Sequence, residues 1–155
     1  QIIGHGAGVE ALTAMAGAMG CATRVLTPDE RIIASLTERR EHPVLLTRRT
    51  QTDLLESDAW TAFVFLFHDH DWEIDLMQRA LELPHFYLGA MGGRKAHAMR
   101  SDALLQRGVS SDRIGSVRAP IGLFHSSRDP QTLALSTLAE VVRAYEETDF
   151  ENTLA

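Results

Sequence analysis

The apolar run Phe-Val-Phe-Leu-Phe at residues 63–67 constrains the fold of this chain more than any other feature. Polar and apolar residues do not alternate within it, which is typical of a central strand in a parallel sheet that is covered on both faces. Directly after it come four polar residues, His68, Asp69, His70 and Asp71. The run therefore predicts an α/β protein with a polar cluster at the carboxyl end of a buried strand.

Strand-like and helix-like segments alternate through the rest of the chain. Strands are predicted at residues 2–3, 23–27, 44–46, 61–67 and 85–88. Helices are predicted after the glycine turn at residues 4–8, in the polar segment from residue 30, at residues 74–81, 93–107 and 110–114, and from Asp129 as N-cap with Pro130 in the first turn. This order predicts one Rossmann-like domain at residues 1–148, with a doubly wound, mostly parallel sheet and helices on both faces, and a solvated tail at residues 149–155.

Helical spacing also predicts which side chains face the core. In the helix at residues 93–107 these are Ala96, Met99, Ala103 and Leu104, and in the final helix they are Leu135, Leu138, Val142 and Tyr145. His97 and Arg100 are expected to extend a basic surface on the first of these helices, although simple exposure fits His97 as well.

Charge and cysteine content exclude several classes of protein. The chain has 15 Lys and Arg against 21 Asp and Glu, a net charge of −6, which disfavours nucleic acid or an anionic membrane as the main partner. The single cysteine, Cys21, excludes an intrachain disulfide and is expected to be buried. No apolar run approaches the ~20 residues that cross a bilayer, so a cytoplasmic protein is expected. Because residues 1–3 match the end of a buried strand, we also expect residues upstream of them.

The glycine turn after the first strand is similar to a dinucleotide-binding fingerprint. Gly4 and Gly6 would allow a tight turn and a close backbone approach to a pyrophosphate at the start of a helix. Val9 replaces the third glycine, with Gly8 one position earlier, and Thr27 stands where an acidic residue would bind a ribose hydroxyl. A nucleotide-binding turn and a purely structural turn both fit, and NAD(P) is expected to bind weakly or not at all.

The cluster at residues 68–71 supplies the ligand types of a metal site or of a proton-transfer pair. His68 and His70 would share one face only if the strand continued through them. For the two histidines, contact with a ligand or substrate stands beside a structural hydrogen-bonding role. Asp71 is interpreted as the N-cap of the next helix.

A second glycine-rich turn, Gly92-Gly93-Arg94-Lys95, begins the helix after the strand at residues 85–88. Free backbone N–H groups, the positive end of the helix dipole and two cationic side chains together make a candidate anion site. A turn followed by solvated basic residues fits the same pattern. Because both polar clusters follow strands, a parallel sheet would bring them to one edge.

Four segments carry a family resemblance: Phe-His-Asp-His at residues 67–70, Phe-Tyr-Leu-Gly-Ala-Met-Gly-Gly-Arg-Lys at 86–95, Arg-Ala-Pro-Ile-Gly-Leu at 118–123, and Leu-Ala-Leu-Ser-Thr-Leu-Ala-Glu-Val-Val at 133–142. Together they resemble the C-terminal Rossmann-like domain of the XdhC/CoxI family, over nearly the whole chain and in the same order. Members of that family are accessory proteins of molybdenum hydroxylases such as xanthine dehydrogenase.

The resemblance implies a maturation factor without turnover, which binds molybdenum cofactor (molybdopterin), supports its sulfuration and inserts it into an apoenzyme such as xanthine dehydrogenase. Its candidate cofactor-binding residues are Gly4, Gly6, Gly8, His68, Asp69, His70, Gly92, Gly93, Arg94, Lys95 and Pro120. No catalytic residue and no metal ligand are assigned, and a homodimer is expected. Two alternatives stay open: an NAD(P)-dependent oxidoreductase domain, and a metal-dependent hydrolase that uses His68 and His70.

Overall fold

The computed structural model describes residues 1–124 and 129–153 and confirms the Rossmann-like α/β architecture. Its strands are β1 (Ile2–Gly4), β2 (Val25–Thr27), β3 (Val44–Leu45), β4 (Ala62–Leu66) and β5 (Tyr87–Ala90). Its helices are α1 (Ala7–Ala18), α2 (Glu30–Glu38), α3 (Glu73–Glu82), α4 (Arg94–Gln106), α5 (Ser111–Gly115), α6 (Pro130–Glu147) and α7 (Phe150–Thr153). Two 3₁₀ turns, Thr52–Leu54 and His70–Trp72, lie in the connections.

The five strands pair in parallel, in the order β3-β2-β1-β4-β5 across the sheet. β1 lies in the middle, between β2 and β4, so the winding of the chain reverses at the gap between β1 and β4. Ligands of doubly wound sheets bind at this switch point, outside the carboxyl ends of the strands. The carboxyl ends of β1, β4 and β5 lie at one edge, as predicted, because Gly4 pairs with Leu66 and Phe65 pairs with Ala90.

The two faces of β4 explain why its sequence lacks alternation. Phe63 and Phe65 pack into the apolar layer beneath α3, α4 and α5, whereas Val64 and Leu66 pack into the layer beneath α1, α2 and α6. Each of these four side chains is at most 4% exposed. Apolar residues are therefore required at successive positions, as expected for a parallel strand with helices on both sides.

The fifth strand begins at Tyr87 and ends at Ala90, whereas the sequence predicted it at residues 85–88. Gly89 and Ala90, assigned to the following turn, are paired with β4. Beyond β5, the segment around Arg118 runs parallel to it: the Arg118 N–H donates to the Leu88 carbonyl at 2.9 Å, and the Ala90 N–H donates to the Arg118 carbonyl at 2.9 Å. This short bridge covers the edge of the sheet.

The inward faces of α4 and α6 differ from those predicted. On α4, Met99 is 59% exposed and Arg100 is 1% exposed, which reverses the expectation. On α6, Leu138 is buried as predicted, but Leu135 and Tyr145 are exposed. Each helix also buries a polar side chain that has a buried partner: Arg100 on α4 bonds to Glu73, and Glu140 on α6 accepts from Tyr87.

Two further expectations are wrong. Cys21 is exposed, because β2 begins only at Val25 and the cysteine lies in the preceding loop. The expected solvated tail includes α7, whose Phe150 ring lies 4.9 Å from the ring of Tyr145 and 5.9 Å from that of Trp60. Residues 154 and 155 of that tail lie outside the described residues. None of the helices in the described part of the chain is long and apolar enough to span a bilayer.

Candidate functional site

The first glycine turn leaves β1 in close contact with β4. A Cβ on Gly4 would lie 2.6 Å from the carbonyl carbon of Leu66, so only glycine allows the two strands to pair at this point. The His5 N–H then donates to the Leu66 carbonyl at 3.2 Å, and Gly6 is the N-cap residue of α1. The turn is thus built at the switch point between β1 and β4, where a ligand is expected.

His5 and His68 form one side of the site. Their ring centroids are 5.6 Å apart, and the His5 Nε2 atom accepts from the His68 backbone N–H at 3.4 Å. Burial, followed by the nearby His68 ring, lowers the pKa of His5 below its usual value of 6.5, while Asp69 and Asp29 oppose this shift. His5 is therefore held mainly neutral, and the exposed His68 ring lies over the glycine turn.

Asp69, rather than Asp71, caps the structure that follows β4. The Asp69 carboxylate accepts from the Asp71 N–H at 3.0 Å and begins the 3₁₀ turn at His70–Trp72, so the prediction that Asp71 caps the helix is wrong. The strand ends at Leu66, and this extra turn shifts the helix start to Glu73. Asp71 points outward and lies 3.9 Å from Arg49, beside a cleft of about 570 Å³ between residues 47–50 and the 3₁₀ turn.

His70 faces a buried ion pair instead of His68. Its Nδ1 atom lies 2.9 Å from Oε2 of Glu73, a carboxylate with no exposed surface. The same carboxylate accepts from Arg100 at two points, from Nε at 3.0 Å and from Nη2 at 3.1 Å. The Arg100 side chain is also fully buried. Such a two-point contact satisfies both charges and fixes the relative orientation of α3 and α4.

The second glycine turn rests on the same arginine. Nη2 of Arg100 donates to the Met91 carbonyl at 2.8 Å, directly before Gly92. Gly92 has φ of +115°, and a Cβ on it would lie 2.9 Å from Cβ of Ala96 and 3.7 Å from Cε1 of His70. Only glycine therefore permits this turn. The turn lies against His70, in the loop that follows β4.

His97, in the first part of α4, also contacts the arginine. Nη1 of Arg100 lies 3.3 Å from Nδ1 of His97. Burial and then the adjacent Arg100 charge lower the pKa of His97, and Glu73 partly offsets the shift. Arg100 therefore does not belong to the predicted basic surface of α4, because it is buried in an ion pair with Glu73. The lowered pKa keeps His97 mainly neutral, so it does not contribute a positive charge to that surface either.

Arg94 and Lys95 remain as the exposed cations at the start of α4. Within residues 1–124 and 129–153, neither forms an ion pair with a carboxylate. Gly93, the N-cap residue, is exposed and supplies no side-chain acceptor to the helix N–H groups. Cationic side chains and free N–H groups at the positive end of a helix dipole form a surface suited to an anion.

Two of the residues predicted to bind a cofactor have other surroundings. A Cβ on Gly8 would lie 3.3 Å from Cδ2 of Leu133, so this glycine allows α1 and α6 to pack closely. Pro120 lines a groove along the outer edge of β5 with Tyr87 and Arg118. This groove runs along the side of the sheet, next to the last strand, β5. The glycine turns and the histidines instead lie at the carboxyl ends of the strands.

The second strand offers no carboxylate to a ribose. Thr27 is fully buried, and its Oγ1 accepts from the Asp29 N–H at 3.1 Å. The Asp29 carboxylate caps α2 by accepting from the Arg31 N–H at 3.0 Å and lies 3.5 Å from the Arg31 side chain. Both polar groups at the end of β2 therefore already have protein partners.

Metal chemistry finds no support in the geometry. His68 turns toward His5, and His70 turns toward Glu73, because the strand does not continue through them. In the part of the chain that the structure describes, no three or more His, Cys, Asp or Glu residues form a group that could hold a metal ion. The pairing of the two histidines that a hydrolase site would need is absent from this arrangement.

Glu73 and Arg100 are site residues that the sequence patterns did not reveal. A signal was nevertheless present, because Glu73 lies three and four positions before Leu76 and Met77, and Arg100 lies four before Leu104, within the buried stripes of the two helices. Opposite charges within the apolar stripes of successive helices are a pattern typical of a buried ion pair.

Residues 1–141 match the family model described as the XdhC Rossmann domain. Over 94 residues, the chain is 44% identical to the molybdenum cofactor insertion chaperone PaoD of Escherichia coli (strain K12), which covers 59% of this chain and 30% of that protein. It is also 28% identical over 69 residues to the uncharacterized protein YqeB of the same organism, which covers 44% of this chain and 13% of that protein.

A crystal structure of a xanthine dehydrogenase from Bacillus halodurans has the same fold, with a TM-score of 0.75 at 18% sequence identity. The superposition covers 96% of this chain and 43% of that chain. The matched regions thus span less than a third of PaoD and less than half of the solved chain.

Proposed function

The chain belongs to the family of the XdhC Rossmann domain, and from this premise we propose that it binds molybdenum cofactor as cargo at the carboxyl edge of its sheet. The observation that carries the proposal is the 44% identity, over 94 residues, to a molybdenum cofactor insertion chaperone. The geometry supports a binding role, since the edge presents two exposed cations without a carboxylate partner among the described residues, together with histidine side chains and two glycine turns.

The cofactor's phosphate would be held at the start of α4. Arg94 and Lys95 are exposed there without a carboxylate partner among the described residues, beside the N-cap Gly93. A phosphate-bearing pterin needs such charge-assisted contacts at one end. The glycine turn of residues 4–6 would supply a second, uncharged approach for the ligand at the switch point.

The histidines would contact the part of the cofactor that lies between the two glycine turns. His68 lies over the first glycine turn and His70 beside the second, so the two imidazoles span the distance between the turns. Imidazoles accept and donate hydrogen bonds near neutral pH, which suits the polar edge of a pterin or the ligands of its metal. Asp69 would hold this loop in place through its cap on Asp71.

The finer part of the proposal is that the domain supports sulfuration of the cofactor and its insertion into a hydroxylase apoenzyme of the xanthine dehydrogenase type. Sulfuration and transfer both require that the reacting end of the cargo stays accessible. Binding of the phosphate at α4 would leave that end beside His68 and His70, at the open carboxyl edge. The homodimer expected from the sequence stays a prediction, which light scattering tests.

Thermal unfolding with candidate ligands tests the proposal. Molybdopterin at ~100 times its dissociation constant is expected to stabilise the chain by about 2.7 kcal/mol. NAD(P) and divalent metal ions serve as the matched comparisons for the two alternative functions. If NAD(P) bound with a dissociation constant near 1 μM or tighter, equivalent to about −8 kcal/mol, the oxidoreductase alternative would replace the proposal.

A second measurement addresses delivery. Full-length protein that contains this domain is expressed in a strain that lacks its own accessory protein, and the activity of the molybdenum hydroxylase is assayed. Recovery of hydroxylase activity is expected. Binding of molybdopterin without recovery would limit the function to storage or handling of the cofactor.

A further inference from the structure

The two polar clusters of the site are joined by one buried ion pair. The Glu73 carboxylate is hydrogen-bonded to His70, which lies in the loop after β4. Arg100 donates to the Met91 carbonyl, just before the turn that follows β5. The carboxylate and the guanidinium are themselves joined at 3.0 Å and 3.1 Å. Both loops of the candidate site are thus anchored to the same pair of side chains.

From this juxtaposition we infer that Glu73 and Arg100 are positioning residues, which fix the proton of His70 on Nδ1 and leave its Nε2 as a hydrogen-bond acceptor for the ligand. The inference rests on the proposed function only for the identity of that ligand, molybdenum cofactor. Nε2 would accept a hydrogen bond from an N–H or O–H group of the ligand, such as the amino or ring N–H groups of a pterin.

The direction of each hydrogen bond follows from the chemistry of its atoms. Arginine only donates, so the Glu73 carboxyl group accepts both Arg100 contacts, and the buried guanidinium charge requires an ionised partner there. Because the ionised carboxylate cannot donate, the 2.9 Å contact requires a proton on Nδ1 of His70. In the singly protonated ring, the free lone pair is then on Nε2, the atom that remains for a ligand.

The same pair imposes the opposite tautomer on His97. Arg100 approaches Nδ1 of this ring at 3.3 Å, and a guanidinium N–H needs an acceptor there. The proton of neutral His97 must therefore lie on Nε2. The same ion pair therefore leaves Nε2 of His70 as a hydrogen-bond acceptor and Nε2 of His97 as a hydrogen-bond donor.

Stability alone does not account for this arrangement. Burial of two charges is costly, and well-packed apolar replacements of such pairs are often as stable or more stable. α3 and α4 are also linked by an ion pair between Asp75 and Arg107, which is partly exposed. The buried pair differs from it in that its remaining hydrogen bonds go to residues around the site, namely His70, the Met91 carbonyl and His97.

Nitrogen NMR of the chain with labelled histidines tests the inference without any cofactor. Native His70 is expected to show the Nδ1–H form and native His97 the Nε2–H form. In Glu73→Gln, the side-chain amide can donate as well as accept, so the preference of His70 is expected to be lost. The control Asp75→Asn removes the partly exposed pair between the same helices and should leave both tautomers unchanged.

A double variant covers the case in which Glu73→Gln does not fold. Glu73→Leu combined with Arg100→Met keeps similar volumes without charge, and its fold is checked by circular dichroism. This variant is expected to lose both tautomer preferences. A His70 ring that stays in the Nδ1–H form in a folded variant of either kind would overturn the inference.

Molybdopterin titration supplies the functional readout. The folded variants are expected to bind about two- to tenfold more weakly than the native chain, the loss typical of one hydrogen bond, whereas Asp75→Asn binds normally. Native affinity in a folded variant that has lost the tautomer would also contradict the inference. If the native chain itself does not bind molybdopterin, the proposed function fails, while the NMR result still decides the positioning role.

Discussion

His68 and His70 are separated by one residue, yet their side chains contact different parts of the site. The ring of His68 lies 5.6 Å from that of His5 above the first glycine turn. His70 bonds to Glu73 at 2.9 Å and lies against the second turn. The two imidazoles therefore act at separate positions along the sheet edge, and their substitutions are expected to differ in effect.

Replacement of Arg94 and Lys95 by alanine is expected to weaken molybdopterin binding. Each charge-assisted contact to the phosphate should contribute about 1–3 kcal/mol. The fold should persist, because both side chains are exposed at the start of α4. Isothermal titration of the double variant measures the loss, and Arg113→Ala, which removes an exposed arginine from α5, is the matched control. Unchanged affinity would remove the basic turn from the phosphate site.

Replacement of His68 or His70 by glutamine is expected to impair sulfuration or insertion more than binding. Neither ring is one of the cationic groups that would bind the phosphate, and imidazoles are suited to proton transfer near neutral pH. Binding and hydroxylase activation are measured for each variant in the full-length protein. His42→Gln, an exposed histidine in the connection before β3, is the control. Full hydroxylase activity of both variants would exclude the histidines from the mechanism.

The titration of His5 is expected to respond to its neighbours. Its pKa lies below the usual 6.5, through burial and then the His68 charge. His68→Gln should therefore raise the pKa of His5, and Asp69→Asn should lower it further, because Asp69 opposes the shift. Proton NMR titration of the His5 ring measures both changes. A pKa that does not move in either variant would show that these groups do not interact.

The same shift has a consequence for stability. Because the unfolded chain binds a proton on His5 more readily than the folded chain, the stability contribution of neutral His5 is complete above about pH 6.5 and is lost as the pH falls. Urea unfolding near pH 7.5 and near pH 5.5 should show a smaller decrease for His5→Gln than for the native chain. An equal decrease in both proteins would contradict a lowered pKa of His5 in the folded state.

Substitution of the two adjacent glycines separates a required turn from a permissive one. Gly92→Ala would place a side chain at φ +115° and against Cβ of Ala96, with an expected cost of about 1–3 kcal/mol. Gly93→Ala meets no atom within 4 Å at an ordinary φ of −74° and should leave stability nearly unchanged. Urea unfolding compares the two, and similar losses in both variants would contradict this account of the turn.

Local patterns were sufficient for much of the architecture. The uninterrupted apolar run predicted a strand with two covered faces, and Asp129 with Pro130 predicted the start of α6, where the carboxylate accepts from the Thr132 N–H at 2.8 Å. The position of both polar clusters at one sheet edge was also predictable, because parallel strands place their carboxyl ends together. These features depend on residues close in sequence or on general rules of sheet topology.

The sequence by itself thus determined the strand and helix order, the family, and the sheet edge on which the candidate residues lie. The tertiary structure alone decided that His68 and His70 diverge, that Met99 points outward, and that Arg100 lies in the core. The physical reason is that Arg100 can be buried only where Glu73, 27 residues earlier, meets it at hydrogen-bonding distance. Helical spacing can place each charge in a buried stripe, but only the packing of the two helices brings the two charges together.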